Sequence, residues 1–164
     1  MAEHHPRPPG IFRVAFDLPQ VSATWPPFST ERIWTRKVPG PYRLELLSIP
    51  FFVRDLSSGD IISAKPDHDR RELVFDSLME HSGRSTIRII LRENGSDVRG
   101  MVLDLLRAQG CAWEFTNVDF HFAVDIPKSA NYDTLRGALA ELVEAGAIEV
   151  EEAFIAPDHR RNNF

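Results

Sequence analysis

Three arginines are spaced so that their side chains project from one side of a β-strand. The β-branched run over residues 86–91 predicts a strand, and Arg84, Arg88 and Arg92 occupy positions that alternate with its apolar residues. Arginine presents a planar fork of donors that suits a carboxylate or a phosphate. The pattern predicts an anion-binding face, and its hypothesised ligand-binding residues are Arg84, Arg88, Arg92, His81 and His121.

The same arginines have a second, structural interpretation. The neighbouring strands are expected to place carboxylates on this face, namely Asp125, Glu149 and Glu151. Opposite charges on adjacent strands are ordinary stabilisers of a sheet, so the guanidinium groups could be neutralised within the chain. The face could also pack on the N-terminal half or on a second copy of the protein, which leaves a homodimer as a further expectation.

A polar segment, Glu80-His81-Ser82-Gly83-Arg84-Ser85, joins the two halves of the sequence. A histidine beside serines suggests a nucleophile and its base, yet sequence neighbours rarely converge on one reacting atom. A polar turn between domains is the simpler interpretation. The alternative is a small enzyme in an interdomain cleft, with Glu80, His81 or His121 as acid or base; no residue is assigned a catalytic role.

The segment Trp25-Pro26-Pro27-Phe28 lies in a loop rich in proline and serine. Trp25 and Phe28 are candidate partner-binding residues, because rigid aromatic loops often form recognition surfaces. This loop, the small size and the acidic charge also suit an immunity or antitoxin-like interaction module. Alternatively, both aromatic side chains fold back and close one end of the N-terminal half.

Neither a metal site nor a cofactor site is predicted. Asp67-His68-Asp69 crowds three potential ligands into one turn, without a partner histidine or cysteine at suitable spacing. Cys111 opens a predicted strand and is expected to be a small buried hydrophobic residue. The sequence also lacks a glycine-rich phosphate loop.

The elements that would hold these residues fall into two groups. Short alternating segments separated by turns predict strands over residues 11–18, 31–38, 42–46, 61–65 and 72–79. Five such strands are typical of a small β-barrel or a strongly twisted sheet. The predicted domains are a barrel over residues 11–82 and a second unit over residues 83–156, flanked by a flexible tail at 1–10 and a polar tail at 157–164.

The second unit has the order strand, helix, strand, strand, helix, strand. Its first helix carries an apolar stripe formed by Val98, Met101, Val102, Leu105 and Leu106. The second helix carries Tyr132, Leu135, Leu139, Leu142 and Val143 in the same way. Gly110 and Gly146 are expected to end the two helices. This order predicts an α+β protein with a ferredoxin-like βαββαβ unit, whose central strands are residues 86–91 and 120–126.

Composition limits the functions that are open to the chain. A net charge of −5 over 164 residues argues against nucleic acid as the main partner. The single cysteine gives no disulfide framework. Without an apolar run long enough for a signal peptide or a membrane span, the expected location is the cytoplasm.

Several segments between Ile11 and about Ala156 resemble the bacterial domain-of-unknown-function 4265 family. They are Trp25-Pro26-Pro27, Glu31-Arg32-Ile33-Trp34, Ile49-Pro50-Phe51-Phe52, Gly59-Asp60 and Ser82-Gly83-Arg84-Ser85-Thr86-Ile87-Arg88. The family often has histidine where this chain has Arg84. The resemblance implies a bacterial cytosolic setting and brings no activity and no catalytic residues. The favoured hypothesis is a non-catalytic binding or regulatory module for a small anionic ligand or a protein partner.

Overall fold

The N-terminal half forms a closed five-stranded barrel in this computed structural model, which describes residues 8–92 and 96–160. Its strands are β1 (Ile11–Asp17), β2 (Thr30–Lys37), β3 (Leu44–Leu46), β4 (Ile61–Asp67) and β5 (Glu72–Glu80). Successive strands pair antiparallel, and β1 pairs parallel with β5 to close the barrel. The prediction of a small barrel is therefore confirmed.

Inward-facing residues of these strands fill the barrel. Val14 and Phe16 alternate with outward-facing residues on β1, as the period of a strand requires. Phe16 stacks on Phe75 of β5, with ring centroids 5.0 Å apart. The buried core consists of Val14, Phe16, Ile33, Leu46, Leu56 and Ile62.

The C-terminal half contains a four-stranded antiparallel sheet and two helices. In chain order the elements are β6 (Ser85–Leu91), α1 (Ser96–Ala108), β7 (Ala112–Phe115), β8 (His121–Ile126), α2 (Tyr132–Glu144) and β9 (Ile148–Phe154). The strands lie in the order β7-β8-β6-β9, so β6 and β8 occupy the centre as predicted. The protein is a mixed α+β protein in which a barrel is joined to a second sheet with two helices.

Both helices pack on the same face of this sheet. Ile87 and Ile89 of β6 and Phe122 and Val124 of β8 join their buried residues in one core cluster. Gly110 and Gly146 follow the helix ends as expected, two residues after Ala108 and Glu144, and have φ values of +71° and +76° that suit a residue without Cβ. In the described ranges, no helix is both long enough and apolar enough to cross a membrane.

Three details differ from the sequence predictions. Met101 and Val143 are 52% and 42% exposed, because they lie at the margins of the helix stripes. Phe120 precedes β8 with φ of +61°, so the strand begins one residue later than predicted. The supposed polar tail begins with a short 3-10 helix, Pro157–His159, whose His159 is buried. The turn predicted at Asn94-Gly95 lies outside the described residues.

Candidate functional site

The arginine-bearing face of the second sheet lies against the barrel. Three contacts join them: Arg88 binds the segment 50–53, the His121 ring packs on Trp25 and Phe52, and Ser57 Oγ lies 2.7 Å from Thr86 Oγ1. The buried residues of this face are Thr86, Arg88, His121, Ala123 and Asp125. The face packs on the N-terminal half, and a homodimer would need a different surface.

Arg88 is the centre of this contact. Its guanidinium donates to the carbonyl oxygens of Pro50, Phe52 and Val53 at 3.2, 3.0 and 2.7 Å, and to Glu151 at 2.5 Å. Burial lowers the pKa of Arg88, and the carboxylate of Glu151 opposes this effect. The residue is only 3% exposed, which agrees with the alternative that this face packs on the N-terminal half, and a ligand-binding role for Arg88 stays a prediction.

Glu31 binds the other side of the same segment. Its carboxylate accepts hydrogen bonds from the backbone N–H groups of Phe51, Phe52 and Val53, at 2.6, 2.9 and 2.9 Å. The segment 50–53 is therefore held through its donors by Glu31 and through its carbonyl oxygens by Arg88. We call this arrangement the loop clamp. Sequence reasoning did not assign Glu31 a role, because its partners are backbone groups.

The other two arginines are paired with carboxylates of the chain. Arg84 forms a forked contact with Asp125, with Nε 2.9 Å from Oδ1 and Nη2 2.5 Å from Oδ2. This hydrogen bonding raises the pKa of Arg84 above its ordinary value. Arg92 pairs with Glu149 across β6 and β9. The cross-strand ion pairs are therefore formed, and a ligand-binding role for Arg84 and Arg92 stays a prediction.

Trp25 and Phe52 enclose His121 at the junction. The His121 ring is stacked on Phe52 at 5.4 Å and meets the edge of Trp25 at 5.3 Å. Its Nδ1 lies 2.7 Å from Thr116 Oγ1. Trp25 thus folds back onto the sheet, whereas Phe28 packs on Phe52 and remains 45% exposed. The role of both residues in partner binding stays a prediction.

Burial makes His121 sensitive to acid. Desolvation, helped by Arg88 and opposed by Glu151, lowers the pKa of His121 from 6.5 to about 4. Between these values the unfolded chain binds a proton that the folded chain does not, so stability is lost as the pH falls from 6.5 to 4. We predict that protonation of this single group in the unfolded chain lowers the free energy of unfolding by about 3 kcal/mol at pH 4, relative to neutral pH.

The measurement is urea unfolding of the natural chain and of His121→Phe at pH 7.5 and pH 4. Phenylalanine keeps the aromatic packing and cannot titrate, so the variant should lose less stability on acidification than the natural chain. Equal losses in the two proteins would contradict the assignment.

His81 lies at a different end of the junction. Its Nδ1 lies 3.3 Å from Oδ2 of the buried Asp60, and its ring stacks on Phe154 at 4.2 Å. Phe154 pairs with the first part of β6 and His121 with the last part, at Thr86 and Ile90. Four residues of strand correspond to about 13 Å, so the two histidines do not converge on one reacting atom.

Asp60 and Ser82 fix the connection between the halves instead. Asp60 accepts the backbone N–H of Ser82 at 2.8 Å and that of Ser57 at 2.9 Å. The hydroxyl of Ser82 donates to the carbonyl oxygen of Ser58 at 2.9 Å. These bonds occupy Ser82 as a structural residue, which favours the interpretation of segment 80–85 as a polar turn. Glu80 is turned outward and pairs with Arg43.

A serine–histidine contact that the sequence did not predict closes the end of the sheet. Ser85 Oγ lies 2.5 Å from His159 Nδ1 and accepts the N–H of Ala156, while His159 Nε2 lies 3.1 Å from the carbonyl oxygen of Pro127. Ser85 is fully buried, so no substrate can reach its hydroxyl. The contact fastens the C-terminal segment to the sheet.

Cys111 is a small buried residue, as predicted from the sequence. Cys111 is buried, and burial raises the pKa of its thiol to about 11, so the thiolate is disfavoured at neutral pH. Among the described residues, no cluster of histidine, cysteine, aspartate and glutamate side chains could hold a metal ion.

A cavity of about 570 Å³ opens between the barrel and two of its loops. One wall is formed by the end of β1 and by Val74, Phe75 and Leu78 of β5, and the others by residues 18–26 and 52–56. The apolar lining includes Phe16, Leu18, Trp25, Phe52, Val74 and Phe75. Its volume and its aromatic lining are those of a small-molecule site.

Four charged residues border this cavity: Asp17, Arg54, Asp55 and Glu151. Asp17 pairs with Arg70 at 3.0 Å and Glu151 with Arg88 at 2.5 Å. Within the part of the chain that the structure describes, neither Arg54 nor Asp55 has an ion-pair partner. Sequence reasoning missed both residues, because an isolated arginine in a loop gives no periodic signal.

The fold and this cavity define an α+β protein whose candidate ligand site lies beside the junction of a barrel and a covered sheet. The chain belongs to the family described as "Domain of unknown function (DUF4265)", which matches residues 31–150. A hypothetical protein from Neisseria gonorrhoeae has a similar solved structure, with 21% identity and a TM-score of 0.71 over 93% of this chain and 99% of that chain. That likeness concerns the fold. No curated protein matches the sequence.

Proposed function

We propose that the protein is a non-catalytic binding module that takes a small, mainly apolar molecule into the cavity beside the junction. The observation that carries this proposal is the cavity of about 570 Å³ with its aromatic and aliphatic lining. Ligand pockets typically measure about 300–1,000 Å³ and combine an apolar lining with a few polar groups that orient the ligand. The site lies beside the arginine face and includes none of its arginines in the lining.

The arrangement of acid–base groups supports binding rather than catalysis. His81 and His121 lie beside opposite ends of β6, level with Thr86 and Ile90, which are about 13 Å apart by strand geometry, and both rings pack against aromatic side chains. A general base must lie within hydrogen-bond reach of the group from which it takes a proton. Neither histidine lines the cavity, so the interdomain enzyme has little geometric support.

The test is to occupy part of the cavity with a larger side chain introduced at its rim. Leu18 lines the cavity on the loop that follows β1, so Leu18→Trp should displace a bound molecule. We expect calorimetric binding of the neutral probe 2-naphthylmethanol to weaken by about tenfold or more in this variant. Leu47→Trp is the matched control, because Leu47 is exposed and lies outside the lining. Equal binding to both variants and to the natural chain would contradict the proposal.

Two exposed apolar side chains favour a second candidate, a protein partner. Val21 and Phe28 of the proline-rich loop are 73% and 45% exposed. A partner that uses this surface should be released by Phe28→Ser, a change that should weaken 2-naphthylmethanol binding far less than Leu18→Trp does because Phe28 is outside the cavity lining. Sedimentation of the purified chain tests whether that partner is a second copy.

We also infer that residues 83–156 are a ferredoxin-like domain and residues 11–82 a separate barrel domain. The strand order β9-β6-β8-β7, with α1 and α2 on one face, supports this assignment. Separate unfolding transitions of the two halves would support the division. The expected bacterial cytoplasmic location belongs to the same proposal.

A further inference from the structure

We propose that the molecule held in the cavity is a small aromatic carboxylate whose anionic group pairs with the guanidinium of Arg54. This inference rests on the proposed function, and it adds the charge and the chemical class of the ligand.

Two of the three carboxylates around the cavity are already neutralised. Asp17 accepts hydrogen bonds from Arg70 at 3.0 Å and from Thr30 at 3.2 Å. Glu151 accepts from Nη2 of the buried Arg88, whose Nη1 and Nη2 also donate to carbonyl oxygens of the segment 50–53. Neither carboxylate is therefore free to attract a cationic ligand.

Among the described residues that line the cavity, Arg54 is the cationic one, and it forms no ion pair within the chain. It is exposed at the cavity, and no carboxylate in the described ranges lies within ion-pair distance of it. Its guanidinium is close enough to Arg88 for their repulsion to lower the pKa of Arg88. A ligand carboxylate beside Arg54 would relieve this repulsion and form a charge-assisted hydrogen bond.

Asp55 is the one described carboxylate around the cavity without an ion-pair partner, and it would favour a cationic ligand. Its backbone is held, since its N–H donates to the carbonyl oxygen of Ala153 at 2.9 Å and its φ is +66°. Its carboxylate borders the same cavity. The guanidinium is favoured as the recognition group because it offers several donors to one anion in a planar fork. Asp55 also supplies the matched control.

The lining favours an aromatic body for the ligand. Trp25 and Phe52 approach each other edge to face at 5.6 Å, and Phe16 and Phe75 are stacked on the barrel side. Rings of this kind prefer offset-stacked or edge-to-face partners. A flat aromatic carboxylate would place its ring among them and its anion at the exposed rim.

Three probes that share a naphthalene body separate this inference from the proposed function. They are 2-naphthoate, 2-naphthylmethanol and 2-naphthylmethylammonium, titrated into the full chain by calorimetry at neutral pH. We expect 2-naphthoate to bind about tenfold or more tightly than the alcohol, and the ammonium to bind least, because a charge-assisted bond is gained only by the anion. Arg54→Gln should reduce 2-naphthoate binding to the level of the alcohol.

Arg54→Lys retains the charge and should keep part of the preference, while Asp55→Asn should leave the preference for 2-naphthoate intact or increase it. Equal binding of all three probes would overturn the carboxylate assignment and leave the proposed function standing. If the ammonium bound most tightly and Asp55→Asn abolished that binding, the ligand would be a cation, and the carboxylate assignment would be overturned as well. Failure of all three probes to bind would overturn the proposed function itself.

Discussion

Replacing Arg88 with methionine is expected to lower the free energy of unfolding by about 3–5 kcal/mol, because it removes one partner of a buried ionic contact. Methionine retains much of the side-chain length and has no donors. The carbonyl oxygens of Pro50, Phe52 and Val53 would lose their partner, and Glu151 would lose its counter-ion. The measurement is urea unfolding at neutral pH.

Arg92→Met is the matched control for this change. Arg92 is on the same face just beyond β6, but its side chain is 56% exposed and its partner Glu149 is 52% exposed. Exposed ion pairs contribute little, so the control should change the free energy of unfolding by less than about 1 kcal/mol. Similar losses in the two variants would show that burial of Arg88 does not decide its contribution.

Replacing Glu31 with alanine is expected to lower the free energy of unfolding by about 2–4 kcal/mol, the second large effect that we predict. Three backbone N–H groups would lose a charged acceptor. The bonds concerned are those to Phe51, Phe52 and Val53. Glu80→Ala is the control, because Glu80 is 63% exposed and forms one surface pair with Arg43. A loss no greater than that of the control would contradict the role given to Glu31.

The losses of stability caused by the Glu31 and Arg88 variants of the loop clamp should not be additive. Glu31 and Arg88 bind opposite sides of the segment 50–53, so once that segment is released by one change, the second has less left to remove. The double variant is therefore expected to lose less stability than the sum of the single losses. Exact additivity would mean that the segment is held independently by each residue.

The loop clamp connects the fold to the candidate site. The segment 50–53 continues into residues 54–56, and residues 52–56 form one wall of the cavity. Glu31 and Arg88 thereby fix the base from which Arg54 projects. A change in either residue is expected to disturb ligand binding as well as stability, although neither belongs to the apolar lining.

The strands and helices could be predicted from the sequence because burial imposes a period on each of them. On β6, Ile87 and Ile89 alternate with the polar residues Thr86 and Arg88, and on β1 Val14 and Phe16 lie two residues apart on the inward face, with the buried Ala15 between them. This period of two identifies both the strand and its buried face. Gly110 and Gly146 mark helix ends because their backbone conformation suits glycine. Such signals are local, so a single sequence contains them.

The site could not be predicted in the same way, because it depends on contacts between distant segments. The sequence assigned Arg88 correctly to the face opposite the helices, and only the tertiary structure shows that residues 50–53 cover it. Glu31 binds backbone N–H groups, and every peptide has these whatever its side chain. Arg54 matters because it lacks a partner, and pairing is decided by the fold.

The most direct test of the central claim, that the cavity beside the junction is the ligand site, is to map 2-naphthoate binding by protein NMR. We predict that the backbone amide signals that move most belong to the cavity walls, in residues 16–18, 52–56 and 74–75. Arg84→Ala should bind 2-naphthoate with unchanged affinity, because Arg84 pairs with Asp125 and is not part of the cavity lining. Shifts centred on Arg84 and Arg92, and lost in Arg84→Ala, would contradict the account.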